Sequence, residues 1–289
     1  MRVPFPNRRS NRRIERIAAL CLVVVVLLGV WALFIEPRRL VVNYTDIALA
    51  RWPRNAPPLR VALLSDLHVG SPHWSTSRIG ELVARTNAEK PDIVLLAGDY
   101  IIDGVVGGTK VDHEAIAEAI SGLHAPAGVV AVLGNHDWWN DGQRMRRALE
   151  SQGIIVLENE THTFVHHGRQ YAIAGLADAM TRQPEPAQTL ARSPKDVPVI
   201  ALVHEPDVFR SIDDGAAITL AGHTHGGQVN LPLVGRLVVP SAFGERYAAG
   251  HVVEDGRHLF VTTGVGTSIL PVRFGVPPEI AILTLRSAP

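Results

Sequence analysis

Five times along this chain an apolar run stops at a cluster of polar side chains, most of them able to bind a metal ion. The first run, Leu59–Leu64, ends at Ser65-Asp66-Leu67-His68, and Ile93–Ala97 ends at Gly98-Asp99. The run 129–133 ends at Gly134-Asn135-His136-Asp137, 199–203 at His204-Glu205-Pro206, and 217–221 at Gly222-His223-Thr224-His225. A strand can be apolar on both sides only in a sheet covered on both faces, so these runs predict buried, largely parallel strands. Open α/β sheets place ligands at the carboxyl ends of their strands, and there the five clusters can converge. In extended chain residues i and i+2 point the same way, so Asp66 with His68, and His223 with His225, are expected to aim paired side chains at one point. Gly98, Gly134 and Gly222 are expected to let the backbone turn tightly beside them.

Between the runs the pattern is helical over Thr76–Ala88, 113–121 and 143–151. The β-branched stretch 40–49 reads as a further strand, followed by a turn at Pro53, Pro57 and Pro58. After Gly153 short strands dominate, at 154–157, 161–165, 171–174, 252–253, 259–262 and 280–285. The segment 179–197 reads as a loop with one helical turn. The expectation is one α/β domain over residues 40–289, with no internal repeat.

Ahead of it, residues 17–35 carry no charge and span roughly 28 Å as a helix, close to the hydrocarbon thickness of a bilayer. A cleavable signal would have a shorter apolar stretch and a small-x-small site, and Trp31 to Pro37 is too bulky for one. The reading is an uncleaved transmembrane anchor. Arg2, Arg8, Arg9, Arg12, Arg13 and Arg16 precede it, against Arg38, Arg39 and Arg51 after it. That asymmetry places the basic arm, residues 1–16, in the cytoplasm and the body outside the cytoplasmic (inner) membrane.

The 28 basic and 28 acidic residues balance, so the body without this arm is slightly acidic, which argues against a nucleic-acid partner. The single cysteine, Cys21, lies in the anchor, so no disulfide forms within the chain and any metal must be held by His, Asp, Glu or Asn. Neither a G-x-S-x-G elbow nor a P-loop occurs.

The order of the five clusters resembles the calcineurin-like metallophosphoesterase family over residues 59–285. The tail from Gly222 to Gln228, then Pro232-Leu233-Val234-Gly235, Arg246-Tyr247 and 262–266, is similar to a membrane-anchored or exported bacterial branch. That branch includes phosphodiesterases and UDP-2,3-diacylglucosamine pyrophosphohydrolases of lipid A synthesis. The resemblance implies a four-layer αββα sandwich holding two divalent metal ions. Asp66, His68 and His225 would bind the first, Asn135, His204 and His223 the second, with Asp99 bridging both and His136 facing the substrate as a catalytic group. It implies hydrolysis of a phosphodiester or pyrophosphate bond, by hydroxide bridging the metals, in a phosphorylated small-molecule or lipid substrate. Mixed nitrogen and oxygen ligands suit manganese, iron or zinc. The alternative of another class is a non-catalytic, membrane-tethered binding protein on the same fold.

The other histidines, His113, His124, His162, His166, His167, His251 and His258, are expected to be solvated, with His73 near the rim of the site. Trp138 and Trp139, with Arg144, Arg146 and Arg147, read equally as a substrate-gripping lid or as a half-buried helix face.

Overall fold

The computed structural model describes residues 8–102 and 104–289; the first seven residues of the basic arm, Arg2 among them, lie outside the described residues. Strands β2 (Leu59–Leu64), β3 (Ile93–Ala97) and β4 (Val129–Val132) pair in parallel and are buried almost throughout. Their alternation is hidden in the sequence because both faces are apolar. Ala62, Leu64, Val94, Leu96 and Ala131 pack outward against helices. Val61, Leu63, Ile93, Leu95 and Val130 pack inward against a second sheet.

The first sheet runs β1-β14-β2-β3-β4-β5, with β1 at Val41–Leu49, β5 at Ile155–Val156 and β14 at Glu279–Ser287. Its outer face carries α2 (Thr76–Ala88), α3 (His113–Ile120) and α5 (Gly142–Ser151). The second sheet runs β12-β13-β9-β8-β7-β6. These are β6 (Glu160–His166), β7 (Arg169–Gly175), β8 (Val199–Leu202), β9 (Ile218–Ala221), β12 (Gly250–Glu254) and β13 (Arg257–Val261). Its other face buries Leu190 of α6 (Pro186–Ala191), Phe209 and Tyr247. Helices, sheet, sheet and a thin helical cover make the four layers expected.

The apolar segment near the amino terminus forms α1 (Arg8–Val30), continued by one wider π-type turn, Trp31–Ile35, and a 3-10 turn, Glu36–Arg38. It is long and apolar enough to cross a membrane, and its most apolar stretch is not buried inside the fold. Leaving those aliphatic side chains in water would forgo roughly 1.5–3 kcal/mol each, so the helix needs an apolar environment.

Its foot, by contrast, is fastened. Glu36 is buried and accepts hydrogen bonds from the Trp31 indole (2.6 Å) and from the Val276 backbone (2.8 Å). The Arg273 amide donates to the Ala32 carbonyl (3.0 Å), and the Trp74 indole to the Pro37 carbonyl (3.2 Å). The Arg273 side chain is itself buried and gives its guanidinium to the carbonyls of Thr263, Gly264, Gly266 and Val276.

Candidate metal centre

The ends of β2, β3, β4, β8 and β9 open toward one point, and the metal-binding candidates of the five clusters lie there. Asp66, His68 and His225 bring one potential ligand atom each within 4.8 Å of one another, as do Asp99, His204 and His223. His68, Asp99 and His136 form a third such group that joins the first two. Asn135 closes the set, its Oδ1 3.2 Å from His204 Nε2.

The backbone that achieves this is not extended, contrary to the expected i, i+2 geometry. Asp66, His68, Asp99, His223 and His225 all have left-handed φ, between 41° and 69°. Such φ values are uncommon for non-glycine residues and collect where a site dictates the geometry. Of the three glycines, Gly98 alone turns at positive φ (90°). Gly134 and Gly222 are required by close approach instead: a Cβ at Gly134 would strike Asp99 Oδ1, and one at Gly222 would strike Ser65 Oγ.

Ring orientation is fixed from behind. His68 Nδ1 faces the Ile101 carbonyl (3.2 Å) and His204 Nδ1 the Ala97 carbonyl (2.6 Å), so both rings turn Nε2 toward the centre. His204 Nε2 then meets Asp99 Oδ2, Asn135 Oδ1 and His223 Nδ1, each at 3.2 Å. With its Nδ1 proton given to a carbonyl, a neutral His204 would present a lone pair to two oxygens, which is repulsive unless positive charge lies among them. Burial alone would lower the His204 pKa, yet the Asp99 carboxylate raises it well above the usual value. His68 Nε2 lies 3.2 Å from His225 Nε2, and the buried Asp66 Oδ1 has no hydrogen-bond partner. Two ligands about 2.1 Å from one ion sit roughly 3.0–3.4 Å apart, so both clusters have the spacing a cation requires.

Burial lowers His68 to about 3, His223 to about 4 and His225 well below the usual value. These rings are therefore neutral near pH 7, the form that ligates metal. Burial raises Asp66 to about 6. Burial also opposes ionisation of Asp99, but His204, His68 and His136 hold its carboxylate well below the ordinary range. Asp99 is the firm negative charge of the site. Asp137 stands behind it, accepting from the amides of Asp99 (2.9 Å), Tyr100 (2.9 Å) and Gly134 (2.9 Å).

Above the centre lies a cavity of about 570 Å³ lined by His136 and by apolar side chains of Trp139, Met180, Leu237, Val238, Ile269 and Leu270. His136 is half-buried, donates its backbone amide to Asp99 Oδ1 (2.9 Å), and sets its ring edge-on to those of His68 and Trp139. The segment α4 (Asn135–Trp139) that presents it is a single turn, unforeseen because five residues hold too little periodicity. The two tryptophans divide between the readings offered for them. Trp139 is exposed on the cavity wall, while Trp138 packs on the helical core beneath Arg182. Arg144 pairs with Glu114, and Arg146 with Glu150 and Glu160, and neither lines the cavity.

His113 and His166 are buried rather than solvated, because helix and sheet packing closes over them. His73 is also buried, 3.3 Å from the Pro271 carbonyl and absent from the cavity lining. The wall residues went unnoticed in the sequence. Their one signal was aliphatic side chains in turn segments, 231–238 and 269–270, where polar residues are the rule. Glu205 secures another part of the wall by accepting the amides of Ala179 (2.9 Å) and Met180 (3.2 Å).

The family model described as calcineurin-like phosphoesterase matches residues 59–227. The metallophosphoesterase YkuE of Bacillus subtilis is 32% identical over 89% of this chain and 89% of its own. The phosphodiesterase YaeI of Escherichia coli is 33% identical over 82% of this chain and 86% of its own. Among solved structures, the NAD nucleotidase of Haemophilus influenzae aligns with a TM-score of 0.48 at 17% identity, over 72% of this chain and 45% of that one.

Proposed function

Because the chain belongs to the calcineurin-like phosphoesterase family and is a metal-dependent phosphoester hydrolase, we propose that it cleaves a phosphodiester or pyrophosphate bond at a two-metal centre on a membrane-anchored body. The observation that carries this reading is the meeting of two ligand sets at Asp99 beneath one cavity. Asp66, His68 and His225 would hold one ion and Asn135, His204 and His223 the other, with the Asp99 carboxylate placed between the two sets. Bound there, two divalent cations of the manganese, iron or zinc type would supply the Lewis acidity that activates water and neutralises a phosphoryl group.

The remaining chemistry belongs to the chain. Only Asp66 and Asp99 bring negative charge among the seven ligands, so the loaded centre is positive and draws an anionic ester. His136, at the cavity floor, hydrogen-bonds the phosphoryl group or gives a proton to the departing oxygen. Asp137 keeps the Asp99 and Gly134 loops in register through their amides. Residues 40–289 form the catalytic body, residues 17–35 the anchor and residues 1–16 a cytoplasmic arm, with the body outside.

The test is metal content and hydrolysis of bis(p-nitrophenyl) phosphate by the purified full chain, before and after chelation and metal return. Two ions per chain with metal-restored hydrolysis is expected. Bound metal without hydrolysis of this or any pyrophosphate would favour a binding protein. A carboxyl-terminal alkaline phosphatase fusion should be active; an inactive one would put the body in the cytoplasm and favour the UDP-diacylglucosamine substrate.

A further inference from the structure

The cavity mouth is built from loops whose outward side chains suit water poorly. Leu233 is fully exposed, and Val234, Val238, Val106, Ile269 and Leu270 are each more than half exposed. Contiguous apolar surface of this kind marks a contact with a membrane or a partner. The only charged residues in 228–243 and 264–276 are Arg236 and Arg273, so no acid on these loops opposes an anionic surface.

These loops are stitched together and to the anchor. Gln228 exchanges hydrogen bonds with Ser268, the Val106 amide donates to the Ile269 carbonyl (3.0 Å), and Asn230 donates to the Phe274 carbonyl (2.8 Å). Arg273, four residues beyond Ile269, donates to the Ala32 carbonyl. Ala32 lies three residues before the end of the charge-free run, about 4.5 Å inside it at 1.5 Å per residue. The mouth is thus tied to the helix at a level where the helix sequence is still free of charge. Leu237, Val238, Ile269 and Leu270 are at once exposed and part of the cavity wall, so an apolar path runs from the surface to His136.

We propose that loops 228–238 and 268–272, with Val106, seat the mouth in the leaflet that the anchor enters, and that the substrate is an amphiphilic phosphoester whose acyl chain lies along this wall. The proposal rests on the phosphoesterase reading above and adds the substrate class and its route of entry. The headgroup phosphate reaches the centre while the tail stays in contact with aliphatic side chains.

The experiment uses the full chain in phosphatidylcholine–phosphatidylglycerol nanodiscs. A fluorophore on Leu233→Cys, in a Cys21→Ser background, should be quenched by lipids brominated near the carbonyl end of the acyl chain. The same label on Val165→Cys, at the far end of the second sheet, should not. Catalytic efficiency on nitrophenyl alkyl phosphodiesters should rise roughly fourfold per methylene over the first few carbons of the tail. L233S/V234S should keep bis(p-nitrophenyl) phosphate turnover within about twofold and lose about tenfold or more on a long-chain ester in the bilayer. A Leu233 label that stays in water, a flat chain-length series, or shielding by cross-linking to a second copy would each overturn the proposal. If wild type hydrolyses neither the soluble ester nor a soluble pyrophosphate, the phosphoesterase reading falls instead, while the depth measurement still decides the seat.

Discussion

The floor and the mouth of the cavity are made by opposite means. The floor consists of charged and polar groups, nearly all buried, set by strand register and, at Asp137, His68 and His204, by hydrogen bonds to the backbone. The mouth consists of aliphatic side chains on irregular loops, exposed and held mainly by the backbones of 228–230 and 268–274. A polar group needs partners wherever burial removes water, so the floor is over-determined. An aliphatic side chain needs only an apolar neighbour, so the mouth has room to vary. Chemistry should therefore fail sharply on changes to the floor, and substrate preference should drift gradually on changes to the mouth.

The sharpest break is expected at Asp99. Asp99→Asn removes the firm negative charge shared by both ligand sets, so metal content and turnover should fall together. The loss should exceed the roughly 10–100-fold typical of groups that merely orient ligands. Elemental analysis with turnover on the same preparation checks this, and two ions at wild-type activity would refute the shared role.

His136→Ala should leave metal content near wild type while slowing turnover about 10²–10⁴-fold on an alkyl ester. The loss should be smaller on a nitrophenyl ester, whose leaving group scarcely needs a proton. Equal losses would replace proton donation by phosphoryl stabilisation, and loss of metal would make His136 a ligand.

Asp137→Asn removes charge from the amides it holds without touching substrate. Turnover should drop about 10–100-fold through weaker metal retention, so added metal should recover part of it; a defect indifferent to metal would argue against positioning. At the mouth, Trp139→Ala and Met180→Ala should each raise KM on apolar esters a few-fold, in line with losing the contact of about one buried methylene, and leave kcat nearly unchanged. An effect on kcat as large as that of His136→Ala would erase the distinction between floor and mouth.

The same contrast explains what was legible in the sequence. Clusters such as Gly134-Asn135-His136-Asp137 stood out because buried strands end abruptly, and a metal site needs particular residue types at those ends. The helices α2, α3 and α5 were legible from their periodicity, and the apolar helix near the amino terminus from its length. The left-handed backbone at Asp66, His68, Asp99, His223 and His225 was not, since Asp and His adopt it somewhat more often than other residues but only glycine adopts it routinely. Nor were α4 and the two-residue strands β10 (Asn230–Leu231) and β11 (Gly235–Arg236), which are shorter than any pattern that could announce them. His113 and His166 were misjudged because burial of a single residue is decided by what packs over it, not by its neighbours in sequence. The mouth escaped notice because an aliphatic residue in a turn looks the same whether it meets water, lipid or another loop.

The left-handed residues at the candidate metal centre carry a consequence for how such a chain can be improved. Left-handed backbone costs an ordinary L-residue about 1–2 kcal/mol, less for Asp, and this site holds five such residues. Glycine at any of them would relax the backbone and remove the ligand in one step. Selection for heat tolerance alone would therefore find its easiest gains among the residues the reaction needs. A more durable version of this protein made without watching turnover would tend to be an inert one.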